Sequence, residues 1–99
     1  MDASVFRNFW RKNRIKNSIV AGIDVSKNFS DMCILSETNG ILKELHFNHD
    51  ESGLYRAYEL LCEIETVSTC KPVFIMESTG HYYRLPYYFF NGLGYECID

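Results

Sequence analysis

The stretch Val20–Ser26 constrains this chain more than any other part of the sequence. Its small and β-branched apolar residues are typical of a buried β-strand. Asp24 stands in the middle of this run. A lone carboxylate costs several kcal/mol to bury unless a cation, a metal ion or a proton compensates it. We therefore expect Asp24 to be buried, and a strand that carries such a group is a candidate for site chemistry.

The residues around this strand predict an opening meander of three antiparallel strands. We place these strands at about residues 18–26, 29–36 and 41–47; in the third of them, apolar and polar side chains alternate. The dipeptide Asn39-Gly40 between the second and third strands is a strong hairpin signal.

The second half of the chain alternates helix and strand. A first helix is indicated by apolar residues that recur on one helical face, namely Leu54, Tyr58, Leu61 and Ile64. We expect it to begin after an Asn48 N-cap and to end near residues 67–68. A buried strand over residues 73–76 precedes a second helix over residues 82–91. Pro86 lies early in that helix, Gly92 and Gly94 are candidates to end it, and a fifth strand begins near Tyr95.

This order, β-β-β-α-β-α-β, defines the expected fold class. A helical crossover between the third and fourth strands makes those strands parallel, whereas the opening meander is antiparallel. The sequence therefore predicts an α/β fold, with a mixed sheet and helices packed on it. The chain has 99 residues, which is enough for one small domain with one core.

Charged residues are distributed unevenly along the chain. Residues 1–16 carry a net charge of +4, and residues 17–99 carry −7. The basic residues of the first segment are Arg7, Arg11, Lys12, Arg14 and Lys16. We interpret residues 1–17 either as an arm that contacts nucleic-acid phosphates or as a flexible leader. Terminal segments are usually poorly ordered, which favours the flexible leader.

The four cysteines point to an ordinary intracellular protein. Cys33, Cys62, Cys70 and Cys97 form no C-x-x-C pair, so we expect buried free thiols and no zinc site. No apolar run approaches the roughly 20 residues that a membrane span needs. No apolar signal-peptide segment follows the basic amino terminus, so we expect a cytoplasmic location.

Two acids occupy similar positions in the predicted sheet. Asp24 lies in the first strand, and Glu77 ends the fourth. If those strands are parallel neighbours, the carboxylates converge, and Mg²⁺ or Mn²⁺ between them would turn repulsion into attraction. Such ions suit phosphodiester chemistry. A helix that opens after Ser78-Thr79-Gly80 would also point free N–H groups at a phosphate.

Structural roles for the same acids stay open. Asp24 could cap a turn through Ser26 and Lys27, and Glu77 could cap the next helix. Asp31 is interpreted as a solvated acid beside a hairpin. The three histidines are too scattered to be metal ligands by spacing; they are His46, His49 and His81.

Two segments resemble the amino-terminal signatures of a known family. Residues 22–27, G-I-D-V-S-K, and residues 76–82, M-E-S-T-G-H-Y, are similar to those of the DEDD insertion-sequence transposases, which are related to the Piv/MooV DNA invertases and include bridge-RNA-guided members. The two acids lie 53 residues apart. Asn48 and Gly53 also resemble the family's stretch of phenylalanine, asparagine and glycine. The similarity covers about residues 19–98.

The resemblance implies a RuvC-like, ribonuclease-H-type domain that acts on DNA in transposition. Asp24 matches the first acid of the family's tetrad and Glu77 the second, so both are candidate catalytic residues and ligands of Mg²⁺ or Mn²⁺. The third and fourth acids lie beyond residue 99 in full-length members, so residues 18–99 would be the amino-terminal part of a truncated domain that is inactive alone. DNA, a guide RNA and further copies of the chain are the implied partners, and the implied location is the prokaryotic cytoplasm in association with the nucleoid. Candidate nucleic-acid contacts are the five basic residues named above together with Lys27, Ser78, Thr79 and Gly80.

Two alternatives compete with a transposase. An actin-like or sugar-kinase lobe also opens with a meander that carries Gly-Ile-Asp. Its phosphate loop places glycine after the aspartate, but Val25, Ser26 and Lys27 follow here. The second alternative is a non-catalytic remnant that binds nucleic acid.

Overall fold

The computed structural model describes residues 19–78 and 82–98. In these ranges the elements follow the expected order. They are β1 (Ile19–Val25), β2 (Phe29–Ser36), β3 (Gly40–Asn48), α1 (Glu51–Ser68), β4 (Val73–Ser78), α2 (Arg84–Gly92) and β5 (Cys97–Ile98). The predicted α/β fold is confirmed, and the boundaries differ from the expected ones by about two residues or fewer.

The five strands form one mixed sheet in the order β3-β2-β1-β4-β5. β2 pairs antiparallel with both β1 and β3, whereas β4 pairs parallel with both β1 and β5. The crossovers through α1 and α2 both advance across the sheet in the direction of β5. Because such crossovers are right-handed, the two helices lie on the same face of the sheet.

The main core lies between this face and the helices. In β1 it takes alternate residues, Ile19, Ala21, Ile23 and Val25. The helix α1 contributes Leu54, Ala57 and Leu61. Phe90 of α2 is fully buried, with its ring centroid 4.5 Å from that of Phe74 in β4 and 6.3 Å from that of Phe47 in β3. These aromatic contacts fix α2 over the middle of the sheet.

The start of α1 corrects the predicted N-cap. Asn48 is still paired with Phe29 at the end of β3, so its backbone belongs to the sheet. Asp50 is the N-cap instead, and its Oδ1 accepts a 2.7 Å hydrogen bond from the backbone N–H of Gly53. Gly53 is required for a second reason: a Cβ atom there would lie 2.0 Å from the backbone oxygen of Asn48. The strand and the helix can meet this closely only because Gly53 has no side chain.

The helix α2 begins at Arg84, two residues later than expected. Pro86 is its third residue, where a missing N–H does no harm because the first-turn N–H groups have no intrahelical partner. The helix ends at Gly92, and Gly94, one of the two glycines expected to end it, follows the C-cap with a φ of 92°. The N–H groups of Gly94 and Tyr95 donate to the carbonyls of Asn91 and Phe90, which is a Schellman motif.

The expected burial of the four cysteines is found only at Cys33. The other three, Cys62, Cys70 and Cys97, are partly exposed. Burial raises the pKa of Cys97 to about 11, and the nearby Glu96 adds to the effect. This thiol is therefore protonated at neutral pH.

The buried hydroxyl of Ser30 is satisfied by His49. Ser30 Oγ lies 2.6 Å from Nε2 of His49. Burial of the imidazole lowers its pKa, and a hydrogen bond with the Lys27 backbone opposes this in part. The neutral ring is therefore the form that the fold favours.

Gly53→Ala should destabilise the protein strongly. The new methyl group would clash with the β3 backbone, so we expect the free energy of unfolding to fall by about 1–3 kcal/mol or more. Gly92→Ala is the matched control, because a Cβ atom there meets nothing within 4 Å. We expect the control to change stability by less than about 1 kcal/mol. Urea denaturation followed by circular dichroism measures both, and equal losses would contradict the close contact.

His49 should make stability fall in mild acid. In the unfolded chain this group titrates near its ordinary value of 6.5, whereas its folded pKa is lower. Between the two values the unfolded state binds more protons, so stability is lost as the pH falls below 6.5 and levels off below the folded pKa. His49→Gln should flatten this part of the profile in urea denaturation at successive pH values. An unchanged slope in the variant would show that His49 is not responsible.

Candidate metal-binding site

The pairing of β1 with β4 brings the two candidate acids together. The strands are parallel neighbours, and Asp24 lies directly opposite Glu77 in their register. Side chains of directly opposed residues point to the same face of a sheet. The two carboxylates therefore project from one face, near the carboxyl ends of both strands, where ligand sites of open α/β sheets are found.

Asp24 is exposed, and the expectation that it would be buried is wrong. It is the one exposed residue of β1, although every other residue of that strand is buried. The residues before and after it, Ile23 and Val25, point into the helix-covered core. Asp24 points to the opposite face because side chains alternate along a strand. The carboxylate is thus accessible to ligands and needs no buried counter-charge.

No cation balances this pair within residues 19–78 and 82–98. The salt bridge found there joins His46 to Asp31, and no hydrogen bond from these residues reaches the carboxylate of Asp24 or Glu77. Neither structural alternative is observed: Asp24 caps no turn, and the N-cap of α2, Tyr83, receives no side-chain hydrogen bond. Two opposed anions destabilise a sheet, and a divalent cation reverses that effect.

A third acid lies in the same cross-strand row. Asp31 of β2 is opposite Asp24, and His46 of β3 is opposite Asp31. The Nδ1 atom of His46 lies 2.8 Å from Oδ1 of Asp31, and both side chains are more than half exposed. Sequence reasoning identified Asp31 only as a solvated residue and missed this alignment. The sequence feature that could have revealed it is the two-residue turn Lys27–Asn28, because this turn fixes the register of the β1–β2 hairpin and sets Asp31 opposite Asp24.

The remaining candidate residues are less closely grouped. Lys27 is exposed in the turn that follows β1. Ser78 is the last residue of β4, and its backbone pairs with Val25. The structure does not describe residues 1–18 and 79–81. Seven of the predicted contacts lie in these segments, namely Thr79, Gly80, Arg7, Arg11, Lys12, Arg14 and Lys16. The helix expected to open directly after Gly80 begins at Arg84 instead, and the phosphate site expected at its start stays a prediction.

Residues 21–98 match the family model of the IS110-type DEDD transposases, which is described as a transposase. The chain belongs to this transposase family. The match covers both strands that carry the acids, and the five-stranded mixed sheet is compatible with the ribonuclease-H-like fold expected for such a transposase domain. It also favours a transposase over an actin-like or sugar-kinase lobe. No curated protein matches the sequence.

Two further findings concern the part of this transposase chain that the structure describes. No group of three or more histidine, cysteine or acidic side chains is placed there to hold a metal ion. Asp24 and Glu77 nevertheless fit a hard divalent cation, since both offer exposed carboxylate oxygens on one sheet face. None of the described helices is both long and apolar enough to cross a membrane.

Divalent ions should stabilise this protein through Asp24. Without them, Asp24→Asn should raise the free energy of unfolding by about 0.2–1 kcal/mol, because it removes the repulsion from Glu77. Added Mg²⁺ or Mn²⁺ should stabilise the unmodified chain by binding the folded state, and should stabilise the variant much less. Glu63→Gln, an exposed change on α1, is the charge-matched control. Denaturation with and without EDTA measures the effect, and equal stabilisation of the Asp24 variant would exclude this site.

Proposed function

We propose that this chain forms the metal-binding amino-terminal part of a DNA recombinase of the transposase family. Asp24 and Glu77 are its proposed catalytic residues, and they act as ligands of Mg²⁺ or Mn²⁺. The observation that carries this proposal is the parallel register that places Glu77 directly opposite Asp24. A one-residue slip of either strand would turn one carboxylate into the core.

The chemistry follows from the donor atoms. When bound, a hard divalent cation supplies Lewis acidity at a phosphodiester and stabilises the charge that develops on its oxygens. The carboxylates of Asp24 and Glu77 would bind and orient that cation, and their own negative charge would be balanced by it. Both acids belong to hydrogen-bonded strands. A rigid scaffold of this kind positions ligands more accurately than a loop does.

We propose further that the chain does not catalyse strand exchange alone. Two carboxylates leave most coordination positions of a divalent ion to water, and no third ligand joins them within the described residues. The family's third and fourth acids would complete the site. A chain with only the first two would bind the cation weakly and would hold no DNA end in a fixed geometry.

DNA is the substrate that the transposase family implies. Lys27 supports contact with a phosphate backbone, because it is exposed in the turn that directly follows the Asp24 strand. The guide RNA, the homo-oligomeric state and the contacts of residues 1–17 stay predictions. A non-catalytic remnant that binds nucleic acid remains the competing outcome of the experiment below.

A chimera tests the catalytic proposal directly. Residues 19–98 of this chain replace the matching segment of an active IS110-type transposase, and recombination is measured in cells. We expect recombination by the chimera, and a loss of about 100-fold or more on Asp24→Ala or Glu77→Ala, because removing a metal ligand removes several kcal/mol of transition-state stabilisation. Glu63→Gln in α1 is the control and should leave the activity unchanged.

Two results would contradict the proposal. Full recombination by a chimera with Asp24→Ala or Glu77→Ala would exclude the assigned roles. A parent chimera that is folded and abundant but inactive would favour the non-catalytic remnant.

A further inference from the structure

The two helices differ in charge, although both cover the same face of the sheet. The helix α1 carries four glutamates and one arginine over residues 51–68. Residues 82–95, which include α2, carry one arginine and no acid. A nucleic-acid strand has a negative charge at every phosphate. It is therefore repelled by the outer surface of α1 and can approach that of α2.

Tyr88 is the most exposed aromatic side chain of α2. It is 69% exposed, which is the largest value of any described tyrosine or phenylalanine. The ring of Tyr87 packs against it, with the centroids 5.6 Å apart and the ring planes at 86°. This edge-to-face contact supports the Tyr88 ring and leaves most of it open to solvent. An exposed aromatic ring of this kind can stack on a nucleic-acid base whose own face is free.

Two polar side chains flank Tyr88 on the same helical face. Arg84 is at i−4 and Asn91 at i+3, and both are exposed. No carboxylate of the described residues pairs with Arg84, because the salt bridge found among them joins His46 to Asp31. Nor does Arg84 stabilise α2, since a cation in the first turn is close to the positive end of the helix dipole. The guanidinium is thus available to a phosphate, and the amide of Asn91 to a base edge.

Tyr55 of α1 provides a comparison within the same chain. It is 55% exposed, and an exposed arginine, Arg56, follows it. Its neighbours at i−4 and i+4 on the helical face are two exposed acids, Glu51 and Glu59. Both helices therefore expose a tyrosine, but only Tyr88 of α2 has a cation beside it and no acid on its own helix.

We propose that Arg84, Tyr88 and Asn91 form a binding face for a nucleic-acid strand with unpaired bases. In a duplex each base is stacked on its neighbours, so Tyr88 finds a free base face only where the strand is unpaired. The seven-residue rise from Arg84 to Asn91 measures about 10 Å, which about three nucleotides of a stacked strand span.

The position of α2 suits a strand that leaves the candidate metal site. The helix returns the chain from the carboxyl end of β4 to the start of β5, and these strands are parallel. Its first turn, with Arg84, is therefore directed toward the edge of the sheet where Glu77 lies. The nucleic-acid partner of this face rests on the proposed function, but binding there needs no metal ion and no recombination.

Titration in EDTA tests this face separately from the catalytic proposal. The full 99-residue chain is added to labelled oligothymidylate, oligouridylate and a DNA duplex of the same length, and fluorescence anisotropy is measured. Tyr88→Ala should weaken binding of the single strands about 5-fold or more and leave duplex binding unchanged, because a stacked base is lost. Tyr88→Phe keeps the ring and should bind like the unmodified chain. Tyr55→Ala is the matched control on α1 and should change nothing.

The salt dependence of the same binding tests the arginine. In a plot of log affinity against log salt concentration, Arg84→Gln should reduce the slope for the single strands by about 0.7, the contribution of one phosphate contact. Arg56→Gln removes an exposed arginine from α1 and should leave the slope unchanged. A loss confined to one of the two single strands would support the face and identify the strand as DNA or RNA.

Several results would overturn the proposal. They are an unmodified chain that binds no single strand, an unchanged single-strand affinity in Tyr88→Ala, an equal loss in Tyr55→Ala or on the duplex, and an unchanged salt slope in Arg84→Gln. Dimerisation that Tyr88→Ala abolishes without any effect on single strands would assign the face to a second copy instead. After any of these results, a chimera that needs Asp24 and Glu77 for recombination would still support the proposed function.

Discussion

The parallel pairing of β1 with β4 is the interaction on which the rest of this structure depends. It joins the opening meander to the helical half of the chain, and it sets Asp24 opposite Glu77. Both strands are central in the sheet, so their backbone groups are satisfied on both sides and their register is strongly determined. A pair of like charges persists in this register because it lies on the exposed row, where water or a cation can reach it.

The two faces of the sheet differ in how they are built. On the helix face, close contacts fix the layers: Gly53 brings α1 against the β3 backbone, and Phe90 of α2 packs against Phe74. Tyr95 adds a 2.7 Å hydrogen bond from its hydroxyl to Glu65 of α1, and its burial raises the pKa of that hydroxyl. The opposite face changes from apolar to acidic within three rows of residues. The exposed acidic row therefore borders a buried, rigid part of the sheet.

Much of this architecture is readable from the sequence. The meander, the two helices and the fourth strand follow from apolar periodicity, and Gly94 marks the end of α2 because its positive φ suits glycine. The N-cap was misplaced at Asn48, since two polar residues near a helix start look alike until strand pairing is known. The sequence alone could not establish that β1 and β4, the strands that carry Asp24 and Glu77, are parallel neighbours. Neither the exposure of Asp24 nor the alignment of Asp31 was anticipated.

The sequence by itself determined which residues lie in strands and helices, and it carried the resemblance to a transposase signature around two acids. These properties depend on local spacing and residue type, which the chain carries without reference to its fold. Only the tertiary structure decided that Asp24 points away from the helices and shares a row with Asp31 and Glu77. That outcome depends on the register between strands far apart in the chain and on which face the helices cover, and both are set by packing of the whole domain.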